Sequence, residues 1–230
     1  MKNNGSNCQT ESEIGRNRLQ KCISKIKERY NKNKQARIAS YKTDNPIVNT
    51  LIIIACGLIA VFASKYMEFF ALGPNQINEG KYYTLLTYIF FHNGKAHFLG
   101  NMITLIICGT ALEDRLGNIK YLIFVLLTSI FSGAISVLYD IHYGNLDNLT
   151  VGISGTEYAI MAALCVHMLY RKQLGSLLLI AYIIYEIVRC FADSQINNIC
   201  HIGGAISGII ISLLFLCWDI SDTDTTTHFV

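Results

Sequence analysis

After residue 45 the sequence turns apolar six times. The runs are Pro46–Ser64, His97–Leu112, Tyr121–Tyr139, Ser154–Tyr170, Leu174–Val188 and His201–Trp218. A backbone crossing lipid must satisfy its own hydrogen bonds, so repeated apolar runs of this kind favour helices packed as a bundle. Most of the runs reach about 17 residues, the lower limit for a span. Apolar residues make up 52% of the chain and charged residues 15%, against about a quarter charged in soluble domains. The composition excludes a disordered chain, a collagen-like chain and a small disulfide scaffold, and argues against an ordinary soluble enzyme. The expected fold is an all-α membrane protein with six transmembrane helices over residues 46–218. A basic segment (1–45) precedes it and a short tail (219–230) follows.

Charge orients the bundle. Residues 1–45 hold 11 of the 19 Lys/Arg and 4 of the 16 Asp/Glu, hence +7 (11 − 4), and the remaining residues carry −4 (8 − 12). Such a head would suit nucleic acid, but on so apolar a body the positive-inside rule explains it better. No nucleic-acid partner is expected. Arg115 with Lys120, and Arg171 with Lys172, mark the same side as the head. Both termini are therefore expected in the cytoplasm. Lys65, Lys81 and Lys95 in the first outer loop are exceptions. That loop is rich in aromatic residues and is expected to form short helices in the outer leaflet. Over Ile14–Arg37 a basic surface helix and an unstructured tail fit equally well. The polar opening does not resemble a cleavable signal. The eight cysteines form no C-x-x-C pair and read as small buried thiols.

Chemistry collects where the even-numbered spans begin, on the outer side. Span two opens with His97 and Asn101, span four with Gly152, Ser154 and Gly155, and span six with His201, Gly203 and Gly204. Topology brings these polar residues to a similar depth. Each has an ordinary explanation. Ser154 suits a helix N-cap, and His201 suits a hydrogen-bonded span end. Glycines beside Ser154 permit a tight turn that exposes its hydroxyl. A neutral imidazole is the usual base for such a hydroxyl. Gly204 and Gly208 share a helix face and match Gly155, Ala159, Ala162 and Ala163 as a close-packing surface. His97 and Asn101, also four apart, would serve as oxyanion donors or as simple interhelical hydrogen bonds. Glu157 within span four suits a polar packing role better than a proton relay. Glu186 is expected to pair with Arg189.

These motifs together resemble the rhomboid intramembrane serine proteases. Gly152-Ile153-Ser154-Gly155 is similar to the family's G-x-S-G. His92, His97 and Asn101 match H-x(4)-H-x(3)-N, and Met102 extends it. His201, Gly204 and Gly208 resemble the last-span H-x-x-G-x-x-x-G. Glu113, Arg115 and Gly117 resemble the E-x-R-x-G of the turn after span two. The resemblance covers about residues 80–210 and implies a six-span rhomboid-like bundle. It also implies a Ser154–His201 dyad without a carboxylate and an oxyanion hole of Ser154 N–H, His97 and Asn101. Tyr158 would stack on His201, and Gly152 would line the substrate site. His92 would serve structure or water delivery, while Glu113 and Arg115 would brace the inner turn. Span five, with Tyr182, Ile183, Tyr185 and Glu186, would gate lateral substrate entry. Where many relatives carry Trp-Arg in the first loop, this chain has Tyr83-Thr84, which leaves the bracing of that loop open.

The implied activity is hydrolysis of peptide bonds within or next to transmembrane segments of other proteins, in a lipid bilayer. The plasma membrane is the first expectation and an internal membrane the second. No metal or other cofactor is implied. The alternatives are an inactive relative that binds membrane clients and a transporter built on Glu157 and Glu186.

Overall fold

A computed structural model describes residues 20, 21, 23–25, 27, 28, 45–191 and 197–225, with side chains as far as Trp218. Met1–Lys42 and Thr43–Val230 form separate compact units. In the first, the described residues are helical. The rest of the expected surface helix over Ile14–Arg37 lies outside the described residues, as do Cys8 and Cys22.

The second unit is helical, and no strand forms among its described residues. Its helices are α1 (Ile47–Phe62), α2 (Met67–Phe70), α3 (Pro74–Asn78) and α4 (Thr84–Thr87). There follow α5 (Lys95–Leu116), α6 (Asn118–Tyr143), α7 (Ser154–Tyr170), α8 (Gly175–Cys190) and α9 (Asn198–Thr225). Helices α5, α6 and α9 are long and apolar enough to cross a membrane. Helix α1 with the segment after it, bent by 88°, makes a fourth candidate. At 1.5 Å per residue α6 is about 39 Å long and α7 about 26 Å, the latter short of a hydrocarbon core of about 30 Å.

Burial assigns α7 the centre. Every residue from Gly155 to Cys165 is buried, as expected of a helix apolar on all sides. Around it the other helices turn apolar side chains outward, including Leu51, Val61, Leu138, Leu178, Val188 and Leu214. So large an apolar exterior suits lipid and not water.

Buried polar groups lock the ends together. The Glu113 carboxylate, fully buried, accepts the backbone N–H of Val48 and of Asn49, each at 2.8 Å. These first-turn donors of α1 have no partner within their own helix, and the carboxylate also complements the helix dipole. Helix α5 carries a π-helical stretch at Leu105–Gly109. There the Asn49 side-chain amide donates to Leu105 O at 2.8 Å and to Thr110 Oγ1 at 3.1 Å. Tyr121 donates to Asn49 Oδ1 at 2.9 Å. A carbonyl set out of register by the wider turn thus finds a side-chain partner.

The loop between α1 and α5 forms the expected short helices. Leu72 and Thr150 exchange backbone hydrogen bonds of 2.7 and 3.0 Å. Gly152 N–H donates to Tyr88 O at 3.0 Å, and Tyr88 OH donates to Ser129 O at 2.9 Å. The Tyr83 hydroxyl donates to Phe69 O at 3.2 Å, and Tyr83 packs with the rings of Phe69 and Phe70. The loop is braced through these contacts. It holds the segment leading into α7.

Candidate active site

Ser154 is the first residue of α7, and His201 stands in the first turn of α9. Ser154 Oγ lies 2.9 Å from His201 Nε2. Ile153, not Ser154, occupies the N-cap position, and no side chain caps this helix end. The hydroxyl is thus engaged with the imidazole. The other ring nitrogen, His201 Nδ1, is buried and has no hydrogen-bond partner among the described residues. The Tyr158 ring, one turn below Ser154, stacks on His201 with centroids 4.4 Å apart and planes 16° from parallel.

Glycines make this approach feasible. A Cβ on Gly204 would run into the backbone carbonyl of Gly155, and one on Gly208 into the backbone of Ala159. Helices α7 and α9 therefore touch backbone to backbone, as small-residue faces allow. Gly155 is also enclosed by Cys200 and Ser132.

Gly152 has φ +107°, a conformation that side chains resist. A Cβ there would lie 2.6 Å from His97 Cε1, 2.7 Å from His97 Nε2 and 3.5 Å from Asn101 Nδ2. The backbone leading to Ser154 therefore runs directly beside those two side chains of α5. Asn101 Nδ2 is buried without a hydrogen-bond partner among the described residues. A desolvated donor left unpaired is costly and suits a group that acquires its acceptor only when a ligand binds. His92 meets His97 edge to face at 5.3 Å and Phe98 at 5.5 Å. A cavity of about 200 Å³ lies beside it, lined by Ile59, Ser64, Met67, His92, Lys95 and Phe98.

The remaining candidates have surroundings of their own. Glu113 and Arg115 lie in the turn after α5, where Glu113 caps α1 and Arg115 donates to Ala111 O. Glu157 is buried, with Oε1 unpartnered among the described residues. Glu186 pairs with Arg189 at 2.6 Å. Cys56, Cys108, Cys165, Cys190 and Cys200 are buried free thiols, as the sequence led us to expect, while Cys217 is exposed. Two contributors were not singled out from the sequence. Asn49 carried no signal, since it stands alone in an apolar run. Asn197 donates from Nδ2 to Thr150 Oγ1 at 2.8 Å and accepts from Cys200 N–H at 3.0 Å. An Asn four residues before His201 is a readable helix-start signal.

These features define a helical membrane bundle with a serine–imidazole pair at the paired ends of two closely packed helices. The rhomboid domain model matches residues 79–218, and the chain belongs to the rhomboid family. It is 28% identical over 145 residues to the putative rhomboid protease YdcA of Bacillus subtilis, covering 61% of this chain and 70% of that protein. It is 26% identical over 145 residues to RHOMBOID-like protein 1 of Arabidopsis thaliana, covering 61% and 36%. It is 28% identical over 150 residues to the rhomboid protease GlpG of Yersinia enterocolitica, covering 62% and 50%. The matched stretch thus spans half or less of two of these three relatives. Family and apolar helices together make the chain an integral, multi-pass membrane protein.

Proposed function

We propose that this chain is an intramembrane serine protease with six spans and both termini in the cytoplasm. Its substrates would be the transmembrane segments of other proteins, and the plasma membrane its site of action. The observation that carries this is the 2.9 Å contact between Ser154 Oγ and His201 Nε2. Nucleophile and base stand within reach with no cap competing for the hydroxyl.

In the proposed reaction a locally unwound substrate helix presents its carbonyl to Ser154. His201 Nε2 takes the hydroxyl proton as Oγ attacks. The tetrahedral oxyanion accepts from the Ser154 N–H, free in the first turn of α7, and from His97 and Asn101. Collapse breaks the C–N bond, and His201 returns the proton to the leaving amine. Water then attacks the acyl-enzyme with His201 as base and releases the acid. Gly152 lines the substrate path, and α8 gates entry through Tyr182, Ile183, Tyr185 and Glu186.

The test is labelling of purified protein in liposomes with a fluorophosphonate, with a known rhomboid protease alongside. Wild type should label, whereas Ser154→Ala and His201→Ala should not while remaining folded. An unlabelled, folded wild type would favour an inactive relative that binds membrane clients. Normal substrate cleavage by Ser154→Ala would sink the mechanism.

A further inference from the structure

A hydrolytic histidine is usually oriented by a third group that bonds its second ring nitrogen. Among the described residues His201 Nδ1 has no such partner, and the face of the imidazole rests on Tyr158. The tilt of the imidazole then depends on what fixes the Tyr158 ring. Its hydroxyl lies 3.5 Å from Cys190 Sγ, at the end of α8. Cys190 also accepts, through its backbone carbonyl, the side-chain amide of Asn198 at 3.1 Å. Asn198 begins α9, three residues before His201. Cys190 is 2% exposed, Tyr158 5% and His201 7%, so water does not compete for these contacts.

We propose that Cys190 is a positioning residue. It pins Tyr158, and through it the His201 ring, so that the end of α8 is latched to both helices of the dyad. This rests on the protease function proposed above. The Cys190 side chain acts on the base through the Tyr158 ring, while its backbone carbonyl, which substitution leaves in place, holds the start of α9 through Asn198. Loosening of α8 would release that ring and loosen the base, which couples the state of this helix to the chemical step.

The experiment compares fluorophosphonate labelling rates, and kcat and KM on a transmembrane substrate, in liposomes. Variants are Cys190→Ala, Cys190→Ser, Tyr158→Phe and the Cys190→Ala/Tyr158→Phe double. A net hydrogen bond of about 0.5–1.5 kcal/mol corresponds to roughly two- to tenfold in rate. Cys190→Ala and Tyr158→Phe should each lower labelling rate and kcat by that factor and leave KM unchanged. The double should fall no further than either single. Cys190→Ser, which keeps a donor and acceptor, should recover most of the rate. Wild-type rates in both singles, or losses that multiply in the double, would overturn the proposal. So would a Cys190→Ser variant as slow as Cys190→Ala. If instead wild type neither labels nor cleaves, the protease function itself fails.

Discussion

Gly204 of α9 lies against the backbone carbonyl of Gly155, one residue after Ser154, with no room for a methyl group between them. The contact sets the separation of the two helices that carry Ser154 and His201. Gly204→Ala should force them apart, costing about 1–3 kcal/mol of stability. A displacement of about 1 Å at the dyad should cost roughly 10²-fold in labelling rate. Gly203→Ala is the control. The three atoms nearest its added carbon would all belong to the side chain of Ile135, at 3.2 Å, which can give where backbone cannot, and labelling should stay within a few-fold of wild type. Equal losses in the two variants would show that helix separation is not what governs the pair.

Asn101 presents a buried amide nitrogen with no partner among the described residues. If that amide meets an oxyanion, Asn101→Ala should lower kcat by about 10²–10³ with little change in KM. A purely structural asparagine would instead lower thermal stability and leave kcat alone. Single-turnover cleavage and a melting curve on one preparation separate the outcomes.

Glu113→Gln should weaken the cap on α1. The carboxamide keeps one acceptor for the two N–H groups of Val48 and Asn49 and lacks the charge that favours a helix N-terminus. We expect a loss of about 1–3 kcal/mol, read as a lower melting temperature in detergent. Labelling well below that temperature should match wild type, because Glu113 sits in the turn after α5, away from the serine. Unchanged melting would mean that the cap contributes nothing net.

His92, in the loop before α5, titrates low. Burial, then the neighbouring His97, push it down to about 4 from 6.5. The folded state therefore binds this proton less readily than the unfolded chain. Its contribution to stability is complete above pH 6.5 and is lost as pH falls from 6.5 toward 4. Melting temperature across that range should decline less steeply in His92→Gln than in wild type. Parallel profiles would show that His92 is not responsible.

Much of the candidate site was legible along the chain because its parts sit at helix starts. Position in an apolar run suggests depth in a bilayer, which is why hydropathy led us to expect His97, Asn101, Ser154 and His201 at one level. Gly204 and Gly208 foretold a close approach for the same kind of reason, since a four-residue spacing shares one helix face. Asn49 was not legible. Its partners, Leu105, Thr110 and Tyr121, are 56 or more residues away, and no local pattern announces a π-helical turn.

The sequence by itself determined a helical membrane protein, the order of its apolar runs and the residue types gathered where the even-numbered runs begin. Those follow from periodicity and transfer free energy, which act residue by residue. Only the tertiary structure decided which serine oxygen meets which ring nitrogen, that Gly152 runs beside His97, and that Cys190 holds Tyr158. Each of these is a contact of a few ångströms between segments distant in the chain. Such contacts arise from packing helices together, and packing energy depends on all the partners at once.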